Sequence, residues 1–215
     1  MNGAELVAYL RTDILRDSAV PYLWSDALLY RRLSQAQELH ARQTYSIVDD
    51  SQTIATEADT PTYLVPEGTL HFLSARVSTT SHDMRSYTRK SLSNHLTTGT
   101  GQPSVYTLDE ATGLIRFYPV PDAIYTINTR IARLPIDPIT QSSTPEIPLR
   151  YHLDLASYVA WQCLQDNDND GSNTKSSERH RTDWNLYLST AKREFYRLQH
   201  GDRPSAVSSW TGKRN

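Results

Sequence analysis

Three alternating aspartates, Asp166, Asp168 and Asp170, followed by Gly171, are the residues of this chain best spaced to hold a hard cation. They match positions one, three, five and six of a calcium loop, where carboxylates converge on the ion and glycine permits the sharp turn. Such a loop needs a bidentate glutamate at its twelfth position, where this chain has Ser177, with Glu178 one residue late. Two ligand oxygens are missing, so no metal is expected. Asp166, Asp168 and Asp170 are the weak candidates should a cation bind, and otherwise read as a solvated turn.

The seven histidines show no HExxH spacing and none pairs with a cysteine at zinc-finger distance. No G-x-S-x-G occurs, and the only cysteine, Cys163, falls on the apolar stripe of a predicted helix. Thr98-Gly99-Thr100-Gly101 lacks the following lysine of a phosphate loop. Asp49 and Asp50 could be imagined as the acid and base of a hydrolase, but nothing places them in a cleft and a strand-entry turn explains them better. No catalytic residue and no cofactor are expected. Recognition is the chemistry that remains. The last segment carries Arg203, Pro204, Trp210, Lys213 and Arg214, and a tryptophan left in water among basic residues suits anchoring in a partner's pocket.

Elements that position these residues follow from the hydrophobic period. Leu6, Leu10 and Ile14 predict a first helix over residues 4–16, and Pro21 interrupts it. Ser25 or Asp26 caps a second helix running to about Tyr45, with Leu29, Leu33, Ala36 and His40 on one stripe and Arg31, Arg32, Glu38 and Arg42 on wetter faces. Between Ile47 and Ile139, short alternating runs of Thr, Val, Ile and Tyr separated by prolines predict strands, with a hairpin closed by Gly113. Pro148 opens a third helix with Leu149, Leu153, Ala156, Ala160 and Cys163 in line. A fourth carries Trp184, Leu188, Ala191, Phe195 and Leu198 as a packing seam.

The expected fold is α+β: an antiparallel four-helix bundle formed by both chain ends, residues 1–46 and 147–200, with a β-rich antiparallel insert, 47–146, between helices 2 and 3. Residues 201–215 form an extended carboxy-terminal tail.

Several blocks in this order resemble the head-to-tail adaptor (connector) proteins of tailed bacteriophages, including tail accessory factors of short-tailed phages. They are the opening 6–50 with its Pro21-Tyr22-Leu23-Trp24-Ser25-Asp26 turn, Gly101 to Tyr106, Gly113 to Pro121, Arg133-Leu134-Pro135, and the closing block from Ile147 into Trp184. The resemblance implies a virion structural protein of the neck or tail, assembled in the host cytoplasm, that forms a ring with itself, twelve copies being common. The ring would sit beneath the portal protein, join it to tail, nozzle or neck proteins, and let DNA pass without binding it specifically. It also implies a portal-docking role for the tail from Arg203 to Asn215. A virion-associated peptidoglycan hydrolase, or a tail nozzle or gatekeeper piece, are the alternatives.

Composition agrees with an assembly part. A net charge of −2 disfavours a dedicated nucleic-acid binder, and a near-neutral wall would not stall passing phosphates. Thirteen tyrosines against three phenylalanines favour amphipathic contact surfaces. The amino terminus has acidic residues and no apolar core, so no signal peptide is expected. No run reaches the roughly 20 apolar residues of a membrane span, so no membrane partner is expected.

Overall fold

The computed structural model describes residues 1–88, 99–109, 111–166 and 174–200. Helix α1, Gly3–Tyr9, starts with a reciprocal cap: Asn2 Oδ1 accepts from Glu5 N at 2.9 Å, and Glu5 Oε2 accepts from Asn2 N at 3.0 Å. The chain then widens into a π-helical turn, Leu10–Leu15, and ends at Arg16 in the left-handed region with φ 53°. Helix α2, Asp26–Thr44, begins on Ser25, whose hydroxyl accepts from Leu28 N at 3.3 Å, and stops at Tyr45, also left-handed. A single 3-10 turn, Leu149–Tyr151, precedes α3, Asp154–Asp166, and α4 spans Thr174–His200.

Among the described residues eight strands lie between α2 and α3: β1 Val48–Asp49, β2 Thr53–Ala55, β3 Thr62–Leu64, β4 Thr69–Val77, β5 Arg85–Tyr87, β6 Val105–Asp109, β7 Leu114–Tyr118 and β8 Thr126–Arg133. They form two four-stranded sheets. In one, β8 is central, with β1 and β2 along one side and β4 along the other, and the register includes Val48 opposite Ala132. The other runs β3-β7-β6-β5. Ile54, Phe72, Val77, Tyr106, Ile115, Phe117, Ile127 and Ile131 from both sheets make one buried cluster. Gly113, at φ 66°, closes the β6–β7 hairpin by donating to Asp109 O at 2.9 Å.

These facts correct the expected fold. Strands sit between helical ends, but the helices do not make an antiparallel four-helix bundle. Their lengths are 7, 19, 13 and 27 residues, and the first dissolves into a π turn, so four matched rods never line up. Nor is the strand region wholly antiparallel, because β5 pairs with β6 in parallel. Pro148 opens a 3-10 turn, not α3, which leaves Leu149 and Leu153 exposed; α3 instead buries Leu155, Ala156, Val159, Ala160 and Cys163. Arg32, expected on a wetter face, is buried.

Two joints hold the layers in register. Arg133 Nε bonds Asp49 Oδ2 at 2.9 Å, and its Nη1 bonds Glu146 Oε2 at 2.6 Å. Glu146 Oε1 also accepts from Ile136 N and Asp137 N, and Glu146 N donates to Gln37 Oε1 on α2 at 2.7 Å. At the amino terminus, Gly3 lies so close to the loop that a Cβ there would stand 2.0 Å from Thr140 O.

Candidate assembly surface

The π turn gives the first candidate surface its base. Leu10 and Leu15, five residues apart, both face the core, and Arg11 is swung inward beside them. Arg11 Nη1 meets Asp17 Oδ2 at 2.6 Å, with both side chains less than 10% exposed (9% and 7%). Its Nη2 donates to Trp24 O at 2.6 Å and to Asp26 Oδ1 at 2.7 Å. Asp17 also accepts from Leu23 N at 2.9 Å and Trp24 N at 3.3 Å. The Tyr22 ring lies over the guanidinium at 3.8 Å, a cation–π contact. A buried ion pair is weak evidence for stability, since desolvation offsets much of its attraction. What this one does is fix a loop. Residues 18–23 become a knob from which Val20, Tyr22 and Leu23 project, Val20 at 81% and Leu23 at 58% exposure. Apolar side chains held rigidly in water mark a contact surface, because their ordering is complete before a partner arrives.

A concave surface lies at the other end of α2. Helix α4 is about 40 Å long and α3 only about 20 Å, so the last turns of α4 overhang. Leu198 is left 72% exposed, with Leu149 close to that at 69%. Two adjoining clefts, of about 360 and 280 Å³, share Arg150 and Leu198; Glu194 and Arg197 line the larger, and Val48, Pro148, Tyr151 and Phe195 are among those lining the smaller. Glu194 is held in place: its Oε2 accepts from Tyr151 Oη at 2.6 Å and pairs with Arg150 Nε at 3.3 Å. Burial, and then the charge on Glu194, push the Asp154 carboxyl up to about 6. The Asp154 carboxyl can therefore hold a proton near neutral pH. However, Glu194 is already bound to Tyr151 and Arg150, which suits a structural contact better than acid–base turnover.

Polar groups also stitch the helical core. His40 is fully buried, its ring 5.0 Å from Tyr151 and 6.2 Å from Trp184. Its Nδ1 lies 3.1 Å from Ser46 Oγ and 3.2 Å from Thr44 Oγ1, while Nε2 has no partner among the described residues. Burial lowers its pKa to about 4, so the ring is neutral at pH 7. Arg32 pairs with Asp166. Asp49 is held far below the ordinary carboxylate range, first by the Ser51 hydroxyl and backbone N–H and also by Arg133.

Of the cation candidates, Asp166 therefore serves as the partner of Arg32, and Asp168 and Asp170 lie outside the described residues. Arg203, Pro204, Trp210, Lys213 and Arg214 also lie outside them. Among the described residues no group of three or more His, Cys, Asp or Glu side chains gathers to hold a metal. No described helix is long and apolar enough to cross a membrane. On α4, Trp184, Leu188 and Ala191 enter the core, Phe195 is half-buried and Leu198 faces water. Asp49 and Asp50 are separated by role, Asp49 bound to Arg133 and Asp50 paired with Arg130 at 3.1 Å. Period-based reading missed Arg11 and Asp17. The available signal was the apolar content of an inter-helix loop, Val20, Tyr22 and Leu23 around Pro21, where polar turn residues would be usual.

The family model described as SU10 adaptor protein matches residues 1–209 of the chain. No curated protein matches it.

Proposed function

Since the chain belongs to the SU10 adaptor protein family, a family of structural phage head-to-tail adaptors, we propose that it forms a dodecameric ring beneath the portal and links it to tail, nozzle or neck proteins. A virion location and association with other virion components come with the family; the copy number and the named partners are part of this proposal. The observation that carries the reading is the extent of the match, residues 1–209, which takes in every described helix and both sheets. Two features of the chain support it. A rigid knob presents apolar side chains to water, and Glu194 and Asp49 are each committed to structural partners. A near-neutral chain, net charge −2, suits a conduit through which DNA moves without specific binding.

On this reading the protein turns over no substrate and needs no cofactor, and assembly takes place in the host cytoplasm before the virion is complete. The tail residues Arg203, Pro204, Trp210, Lys213 and Arg214 dock on the portal, with Trp210 as the buried anchor. Trp184, Leu188 and Ala191 keep α4 seated while the knob and groove remain free for partners.

Co-expression with the portal protein, followed by native mass spectrometry and electron microscopy of the purified complex, tests the proposal. Twelve copies per portal are expected for the full chain, and loss of portal binding for a chain ending at Asp202. A full chain that stays monomeric beside intact portal rings would refute the adaptor reading. A truncated chain that still assembles would refute the docking role of the tail.

A further inference from the structure

From the amino-terminal helix we infer a two-register switch: residues 10–15 wind either as the π turn seen here or as regular α-helix, and the register decides whether the knob of residues 18–23 is fixed or loose. The device belongs to the single chain and stands whether or not copies form a ring. Both windings have a core residue to offer. Leu6 and Leu10 are fully buried, and a further step of four, the α spacing, would bring in Ile14; the π turn takes a step of five and buries Leu15 instead. Ile14 is half-buried and already packed against the helical core. Turning the segment by one residue, about 100°, therefore exchanges a leucine for an isoleucine at one core position. Volume is kept, and such a swap is among those a core tolerates best.

The exchange reaches the knob through Asp17. The Arg11 carbonyl accepts from Arg16 N and, at 2.9 Å, from Asp17 N, whereas α geometry would give it Leu15 N as donor. The same two residues are joined by their side chains, Arg11 Nη1 to Asp17 Oδ2 at 2.6 Å, and Asp17 in turn holds Leu23 N and Trp24 N. Taking the α register unhooks Asp17 from the Arg11 backbone, draws its carboxylate off the guanidinium and frees Leu23. Opposing forces thus meet in one turn. The α register restores four-residue hydrogen bonding and lets Arg16, left-handed at φ 53°, take a helical backbone. The π register keeps the buried Arg11 satisfied, which a lone buried charge would not be. A partner that grips Val20, Tyr22 and Leu23 in their fixed arrangement draws the segment toward the π register, and one that pulls the loop away drives it to the α register.

Thiol labelling of the full chain reads the register. Ile14→Cys and Leu15→Cys are each made in the parent and in Asp17→Ala, which removes the link that holds the π register. The native Cys163 is buried and so shielded from a maleimide, and the chain without added cysteines gives its background. In the parent, the thiol at position 14 should label roughly tenfold faster than the one at position 15. With Asp17→Ala the order should invert by a similar factor. Amide exchange on chains without added cysteines gives the second reading: Leu23 N and Trp24 N should exchange roughly tenfold faster in Asp17→Ala while residues 10–15 stay protected. Should Asp17→Ala fail to fold, Arg11→Met with Asp17→Ala strands no charge and carries the same cysteines and the same expectations. Three results would overturn the inference: a labelling order that Asp17→Ala leaves unchanged, position 15 labelling as fast as position 14 already in the parent, or both positions labelling fast with protection lost over residues 10–15, which is unravelling and not a change of register.

Discussion

Removing the Asp17 carboxylate should release the knob and expose how much the Arg11 pair holds. Asp17→Asn leaves Arg11 buried at 9% side-chain exposure, with only Trp24 O and Asp26 as partners. Asp26 is 61% exposed, so water screens it and its pairing is worth about 0–1 kcal/mol. Stranding one member of a buried pair costs roughly 3–5 kcal/mol. For a chain of this size each kcal/mol lowers Tm by about 2–4 °C, which puts the expected fall at roughly 6–20 °C by calorimetry. Arg11→Met alone should cost a similar amount. The double variant, Arg11→Met with Asp17→Asn, strands no charge and keeps an amide oxygen for Leu23 N, so it should be more stable than the sum of the singles predicts by about 1.5 kcal/mol or more. Additive losses within about 0.5 kcal/mol, or a single-variant shift under about 2 °C, would refute the claim that this pair organises the loop.

Acid should weaken the helical core through His40. Its folded pKa, about 4, lies below its ordinary 6.5, so the unfolded chain takes up the proton first and about 3 kcal/mol is lost as pH falls from 6.5 to 4. Asp154, raised to about 6, acts in the opposite sense, its penalty fading as pH falls through that value. Comparing urea midpoints of wild type and His40→Gln across that window isolates the histidine: the variant should lose that part of the slope whatever its absolute stability. Gly3→Ala drives a Cβ into the Thr140 carbonyl and should cost about 1–3 kcal/mol with faster amide exchange over residues 3–9, whereas Gly99→Ala, with open space around it, should change stability by under about 0.5 kcal/mol. Glu146→Ala strands Arg133 and two backbone donors and should cost about 2–3 kcal/mol in urea, with exchange at Ile136 and Asp137 rising first.

Local signals in the chain were legible where one residue decides the outcome. Ser25 caps α2, Gly113 closes the β6–β7 hairpin, and the Trp184, Leu188 and Ala191 spacing brings one face of α4 into the core. The bundle expectation failed because hydrophobic period reports which face is buried and says little about how long neighbouring helices are. Leu6, Leu10 and Ile14 looked like one regular stripe; Leu6 and Leu10 are buried as expected, but across the π turn the next fully inward residue is Leu15, five residues on, and Ile14 is only half-buried. The strands β1, β2 and β5 have two or three residues each, too short to show a period of two. The assembly surface was hidden for a different reason. Its base depends on Arg11, Asp17 and Asp26 converging in space, and an arginine looks like surface until its partners are placed around it.

The central position of β8 matters during synthesis. Val48 pairs with Ala132 and Ile54 with Ile127, so β1 and β2 emerge from the ribosome long before the strand they bond to exists. At roughly 5–20 residues per second, the 84 residues from Val48 to Ala132 leave those edges unmatched for about 4–17 seconds on each nascent chain. That interval is the nascent chain's period of greatest exposure to mispairing of those edges.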